Sequence, residues 1–316
     1  MNIVILHECF FNEQHLTRLK KIGIVSVYQD TDSEQKAIAR LQDANIVIVD
    51  QFITPFDKKV LESARHIKLI VLNSISYSNV DLKTASRLGI KVANVAGFSK
   101  QTVAEFTLAL LFAINRKITL ADRLMHQHPL ELDPGNTQHQ QFIGFELKGK
   151  TLGIIGLGNI GTTVANIAQS LGMKVIAYSR SQKKVTNVKI VSLPELLKTS
   201  DIITLHLPLN PKTKNMIAKK EINLMKHNAI IINTSQPEII DIDALTNALQ
   251  TKKIYGAALD CGNIIPKDHL LYKQDNVILT PHMASFTHEA FFENMPHQII
   301  ETVEAFIKRK PINIVN

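Results

Sequence analysis

Cysteine is nearly absent: Cys9 and Cys261 are the two in 316 residues. A disulfide framework is not expected from so few, and a reducing compartment, the cytoplasm, is. No stretch reaches the roughly 18 uninterrupted apolar residues that a membrane span requires. The longest candidate, residues 103–114, carries Glu105 and Thr107 and reads as a buried helix. Met1 to Leu6 have neither the basic start nor the cleavage site of a secretory signal, which again points to the cytoplasm. Low-complexity tracts and short-period repeats are missing too. Basic residues outnumber acidic ones, 36 to 28, for a formal charge of +8. They lie scattered, without a dense arm or an aromatic-interleaved patch. No nucleic acid and no membrane is therefore the expectation, and the partner chemistry left is that of small anions.

What is there begins with Gly156, Gly158 and Gly161, spaced G-x-G-x-x-G between an apolar run (residues 151–155) and a helical pattern (Val164, Ala165, Ile167, Ala168, Leu171). In a dinucleotide site the first glycine permits a tight turn, the second lets backbone approach a pyrophosphate, and the third lets helix and strand pack closely. The helix start then offers free N–H groups to the phosphates. The spacing alone is weak evidence, and its place between strand and helix strengthens it.

Residues 1–98 alternate short apolar runs with amphipathic stretches about every 22 residues, the rhythm of βα units. The runs are 3–6, 24–28, 46–49, 69–72 and 91–95. One helix start is read with Thr54 as N-cap, Pro55 at the first helical position and Asp57 at the third. Another helix, 80–88, stops at Gly89. A long helix is expected over about residues 100–125, followed by a polar loop, 126–141, containing His126, His128 and His139. No carboxylate or cysteine falls at ligand spacing beside these histidines, so the loop reads as an arm or linker and no metal is expected. From Thr151 the rhythm returns, with runs at 151–155, 174–178, 202–207, 229–233, 255–259 and 276–279, and a last helix over about 288–309. The fold class is α/β, with two doubly wound parallel-sheet domains.

Gly156, Ser179, His206, Thr234, Asp260 and His282 each fall at or just past the carboxyl end of an expected strand. In an open parallel sheet that edge is where ligands bind. Their convergence argues for a dinucleotide domain more strongly than the glycines do.

At these residues the sequence resembles the D-2-hydroxyacid dehydrogenase family. The matching segments are Ser76 to Asp81, Ser99 to Glu105, the glycine loop, His206 to Thr213, Ile232 to Ser235, Gly256 to Asp260 and Thr280 to Ala284. The resemblance implies a flavodoxin-like substrate domain made of residues 1–98 plus 287–316, and a Rossmann domain for NAD or NADP over 99–286. It also implies a homodimer and, as substrate, a small anionic 2-keto or 2-hydroxy acid. Cofactor contacts are implied for Gly156, Gly158, Asn159, Ile160, Gly161, Ser179, Arg180, His206, Pro208, Thr213, Thr234, Asp260 and His282, and substrate contacts for Ile75, Ser76 and Tyr77.

Reduction of a 2-keto acid requires a proton donor at the developing alkoxide, a cation for the carboxylate and carbonyl, and a group that keeps the donor charged. In the family these are a histidine, an arginine and a glutamate. His282, in its Thr-Pro-His setting, matches the histidine; the alternative is an imidazole merely satisfied at a strand end. The arginine position, after Asn233-Thr234-Ser235, is Gln236, followed by Pro237. The glutamate position, before Pro266, is Ile265. Gln236 donates hydrogen bonds without charge, and Ile265 cannot hold a proton on His282. The family's Gly-x-Asp-Asn turn is Ser76-Tyr77-Ser78-Asn79 here, with backbone donors kept.

Ser179 stands where an aspartate would bind the ribose hydroxyls of NAD, and Arg180, Ser181, Lys183 and Lys184 follow. Without that carboxylate a 2′-phosphate is not repelled, which favours NADP over NAD; the alternative is a solvated basic turn. Asp260 faces the nicotinamide carboxamide by resemblance, or simply caps a turn. Cys261 reads as packing. The function expected is an NAD(P)-dependent oxidoreductase interconverting 2-keto and 2-hydroxy acids, with an atypical substrate or a low rate. The alternative is a dinucleotide-binding sensor or partner-binding protein that has lost turnover.

Overall fold

A computed structural model of the chain describes residues 1–7, 9–127, 137–180 and 185–316, and of residues 137–139 the backbone only. The chain forms two compact units, Met1–Ser99 with Phe286–Asn316, and Lys100–Ser285.

In the first unit, strands β1 (Asn2–Leu6), β2 (Ile24–Tyr28), β3 (Ile46–Val49), β4 (Leu69–Leu72) and β5 (Lys91–Ala93) pair in parallel in the order β2-β1-β3-β4-β5. β3 and β4 are buried along their whole length, as near-continuous apolar runs in a two-sided sheet must be. Alternate residues feed opposite faces. Ile3, Ile5, Ile46 and Ile48 share a cluster with Ile299, Ile300 and Val303 of the last helix. Val4, Leu6, Val47 and Val49 pack instead with Ala37, Leu41, Val60 and Leu61. The chain end joins this unit through hydrogen bonds from Asn94 N to Asn313 O (3.1 Å) and Val315 N to Val92 O (2.9 Å).

In the second unit, β6 (Thr151–Ile155), β7 (Lys174–Tyr178), β8 (Val188–Ile190), β9 (Ile202–Leu205), β10 (Ile230–Asn233), β11 (Gly256–Asp260) and β12 (Val277–Thr280) form a parallel sheet in the order β12-β11-β10-β9-β6-β7-β8. The order reverses between β6 and β9, and the crevice at such a reversal is where doubly wound folds take ligands. Helices Lys100–Asn115 and Asn159–Ser170 pack on the face presented by Leu152, Ile154, Ile230 and Ile232.

Four details differ from the sequence reading. Thr54 does not cap a helix: it is buried, with His7 Nε2 at 2.6 Å and Thr31 O at 3.3 Å from its hydroxyl. The helix starts later, at Lys58–Ser63, with Asp57 accepting from Val60 N at 2.9 Å. The long helix breaks in two, Lys100–Asn115 and Ile118–Gln127, at Lys117 in the left-handed region (φ 51°). Tertiary bonds hold the break, because Asn115 pairs through its side-chain amide with both Phe145 O (2.7 Å) and Phe145 N (3.1 Å), and Tyr255 Oη donates to Asn115 O (3.1 Å). The last helix opens with a π-type segment, Glu289–Asn294, before the α-helix Met295–Ile307. Strand β8 is short and largely exposed, so its residues carry no burial pattern to read.

Among the described residues no helix is long and apolar enough to cross a membrane. No group of three or more histidines, cysteines or acidic residues among them is placed to hold a metal ion. Most of the expected arm, with His128 and the side chain of His139, lies outside the described residues, as do Ser181, Lys183 and Lys184.

Candidate active site

The sheet order sets the six edge residues in one row. Ser179 follows β7, Gly156 β6, His206 β9 and Thr234 β10, while Asp260 ends β11 and His282 lies just past β12. At about 4.8 Å per strand step the row is roughly 24 Å long. Gly156 beside His206, the second and third places counted from Ser179, marks the reversal point.

Each glycine of the turn has a distinct geometry. Gly156 is left-handed at φ 102°, and a Cβ on it would lie 2.4 Å from His206 O. A Cβ on Gly161 would lie 2.2 Å from Gly156 O. Around Gly158 a Cβ would meet nothing within 4 Å. Gly156 and Gly161 are thus required by the fold, whereas Gly158 borders open space. Gly158 is also the N-cap of helix Asn159–Ser170 and offers no side chain to its first-turn N–H groups, which leaves them for an anion.

His206 adds an orphan at the same place. Its main-chain N–H donates to Ile155 O at 2.8 Å, and both ring nitrogens are buried without a hydrogen-bond partner among the described residues. Burial pushes the imidazole from 6.5 down to about 4. A buried unpaired polar group of this kind calls for a ligand, and together with the open cradle at Gly158 it fits a dinucleotide. One consequence concerns stability. Between pH 6.5 and about 4 only the unfolded chain takes up this proton, so stability falls as pH falls through that window, and this group removes no more below it. The loss is on the order of 3 kcal/mol. Denaturant unfolding of wild type and His206→Leu at pH 7 and pH 4.5 checks it: the variant is expected to lose less stability on acidification.

The loops carrying Pro208 and Thr213 are tied by the threonine hydroxyl, which donates to Pro208 O (2.7 Å) and accepts from Asn210 N (2.9 Å). Thr107 gives its hydrogen to Val103 O at 2.7 Å, so in its 3.0 Å contact with Thr234 the latter donates. Ser179 is half-buried and Arg180 exposed at the carboxyl end of β7.

At the far end of the row Asp260 builds the turn that carries His282. One carboxylate oxygen accepts from Thr280 Oγ1 (2.7 Å) and Met283 N (2.9 Å), the other from Ala284 N (2.7 Å). Its side chain is therefore engaged in the turn. Within that clamp His282 is left-handed (φ 59°) and exposed. Its Nδ1 lies 3.3 Å from Asp260 O; a carbonyl only accepts, so Nδ1 carries the hydrogen and Nε2 faces away. A main-chain oxygen thus orients this imidazole.

Gln236 is half-buried, and its amide has no hydrogen-bond partner among the described residues. Its carbonyl accepts from Asn233 Nδ2 (2.9 Å), and Asn233 Oδ1 accepts from Ser235 N (2.9 Å). Asn233, buried and given no role of its own by the sequence reading, therefore shapes the turn that presents Gln236. Ile265 is 3% exposed in the cluster that contains Leu259, Cys261 and Leu271. A carboxylate there would be buried without a partner, so Ile265→Glu is expected to cost about 3–5 kcal/mol. A thermal melt reads this as a fall in Tm of roughly 10 °C. Burial also raises the Cys261 thiol pKa, as suits a packing residue.

In the first unit Gln51, missed from sequence, is fully buried past β3. Its Nε2 donates to Ser74 Oγ (3.2 Å) and Ser76 O, and its Oε1 accepts from Asn79 N (3.0 Å). Asn94 Nδ2 takes Ile75 O at 2.7 Å. The turn through Ile75, Ser76 and Tyr77 thus has its carbonyls held inward.

The model of the D-isomer specific 2-hydroxyacid dehydrogenase NAD binding domain matches residues 108–284, which span the whole row. The chain belongs to this family. A glyoxylate reductase of Thermococcus litoralis is 37% identical over 96% of the chain and 94% of its own length. A hydroxypyruvate reductase of Blautia hydrogenotrophica is 34% identical over 100% of both chains. Among solved structures, an acyclic imino acid reductase in complex with NADPH and D-Arg superposes with a TM-score of 0.88 at 35% identity, covering 100% of both chains. As a D-2-hydroxyacid dehydrogenase homologue the chain is an NAD(P)-dependent oxidoreductase of the class acting on CH–OH.

Proposed function

We propose that this D-2-hydroxyacid dehydrogenase homologue interconverts a 2-oxo acid and its 2-hydroxy acid, with NADP preferred over NAD. The row of edge residues, from Ser179 through the glycine turn to His282, carries this reading. Residues 99–286 serve the cofactor and residues 1–98 with 287–316 the substrate. The glycine turn and the first-turn N–H groups hold the pyrophosphate, with Asn159 and Ile160 beside it, and Arg180 pairs with the 2′-phosphate. His206, Pro208, Thr213, Thr234 and Asp260 border the rest of the cofactor. When bound, the nicotinamide supplies the hydride that reduces the carbonyl carbon. His282 gives its Nε2 proton to the oxygen, so that C=O becomes CH–OH. Gln236 hydrogen-bonds the acid, and the N–H groups around Ile75, Ser76 and Tyr77 receive its carboxylate. A homodimer in the cytoplasm completes the proposal; Cys9 and Cys261 are both buried, as packing residues are.

A fluorescence titration with NADPH and NADH tests the cofactor part. Arg180→Ala is expected to narrow the preference for NADPH about tenfold, or 1.4 kcal/mol. NADPH oxidation with glyoxylate, hydroxypyruvate and pyruvate tests the reaction, and its absence with every oxo acid would favour a sensor.

The uncharged Gln236 and the buried Ile265 favour a second reading, in which an imino acid formed from an oxo acid and an amine is reduced. A protonated C=N brings its own proton and charge, and a neutral glutamine does not repel it. The 35% identical imino acid reductase supports this. A rise of tenfold or more in NADPH oxidation when methylamine is added to the oxo acid selects it.

A further inference from the structure

The edge that carries Ile75 and Tyr77 also bears an unusual load of exposed apolar side chains. The strands of this unit hide their apolar residues: those of β3 and β4 are 0% exposed. Just past β3, however, Phe52 is 61% and Ile53 53% exposed, and past β4 Ile75 and Tyr77 are 43% each. The two pairs belong to one construction, because the side chain of Gln51 binds Ser74, Ser76 and Asn79. With the carbonyls of Ile75 and Ser76 taken by the buried amides of Asn94 and Gln51, the apolar side chains of that turn are left facing outward.

A second set lies past β1 of the same unit. Phe10, left-handed at φ 53°, meets Phe291 and Phe292 edge-on at 5.2 and 5.1 Å, and Phe286 meets Phe291 at 5.3 Å. The π winding of Glu289–Asn294 sets the adjacent Phe291 and Phe292 both against Phe10. Phe286 remains 63% and Phe292 45% exposed. Single exposed apolar residues need no explanation, but a clustered set at a ligand-binding edge does.

We propose that the substrate is a 2-oxo acid, or the imine derived from one, with a large branched or aromatic side chain that this edge receives. The inference rests on the reading above, in which the N–H groups around Ser76 take the carboxylate. Next to that anchor, a glyoxylate has no side chain to offer Phe52, Ile53 or Tyr77. A branched or aromatic side chain covers them, and one methylene in an apolar site changes discrimination by about 10–200-fold.

The test compares glyoxylate, pyruvate, 2-oxo-4-methylpentanoate and phenylpyruvate with NADPH, each with and without methylamine. Wild type is set beside Phe52→Ala and Tyr77→Ala. Expected is a kcat/KM at least about 100-fold higher for the bulky acids than for glyoxylate, and a collapse of that ratio in both variants through KM. A preference for glyoxylate, or a ratio that the variants leave alone, overturns the inference. Turnover of no acid at all defeats the functional reading instead. The side-chain seat is then measured by quenching of bound NADPH with 4-methylpentanoate, 3-phenylpropanoate and acetate. Tighter binding of the two larger acids supports it; equal binding, or none, overturns it. A patch covered by a second copy of the chain shows as Phe52→Asp dissociating an oligomer with the substrate ratio unchanged, and this also overturns it.

Discussion

Replacing His282 by alanine is expected to lower kcat by about 10²–10⁴-fold while leaving the Kd for NADPH within a factor of a few. The imidazole is exposed, so its removal leaves no cavity. The turn that carries it is built by Asp260, which keeps its acceptors for Thr280, Met283 and Ala284. The loss therefore falls on proton transfer and not on folding, and steady-state rates with a circular dichroism melt separate the two. A kcat unchanged by His282→Ala would remove the imidazole from the chemistry. Asp260→Ala is expected to lower kcat as well, by releasing the left-handed turn.

The glycine turn gives the second large effect. In Gly158→Val the added side chain enters open space, and the native φ of −83° suits any residue. The fold is expected to keep its Tm, while NADPH affinity falls about 100-fold. Blocking one or two N–H bonds to a charged phosphate, at about 1.5–3 kcal/mol each, accounts for that factor. Gly156→Ala is the contrast: its Cβ would strike His206 O, at a φ of 102° that L-residues avoid. It is expected to lower Tm and binding together. Equal Tm losses in the two variants would mean that the space at Gly158 is not a ligand's.

The family's arginine is a natural gain-of-function test in this frame. Gln236→Arg alone is informative, because its side chain has no hydrogen-bond partner to lose among the described residues, whereas Ile265→Glu is confounded by burial. The histidine here is oriented by a backbone carbonyl, that of Asp260. The turn itself is held by the Asp260 carboxylate through Thr280, Met283 and Ala284, and so keeps its shape with isoleucine at position 265.

Much of this was legible in the chain. Strand runs 46–49 and 69–72 coincide with β3 and β4, because an apolar run in a parallel sheet is buried on both sides and leaves little freedom of assignment; runs 24–28 and 174–178 coincide with the less buried β2 and β7. Helix starts were harder. Thr54 has the chemistry of a cap, yet its hydroxyl is consumed by His7 and Thr31, which are distant in sequence. The break at Lys117 is equally invisible locally, since Asn115 and Tyr255 make it with partners elsewhere.

By itself the sequence determined the βα rhythm, the glycine turn and which residues end each strand, since periodicity and glycine stereochemistry act over a few residues. Only the tertiary structure decided that Gln51 and Asn233 shape the turns on the two sheet edges, that Ile265 belongs to the core, and that one edge is left apolar. Those outcomes depend on hydrogen bonds and packing between segments far apart in the chain, and no local pattern encodes which partner a buried amide will find.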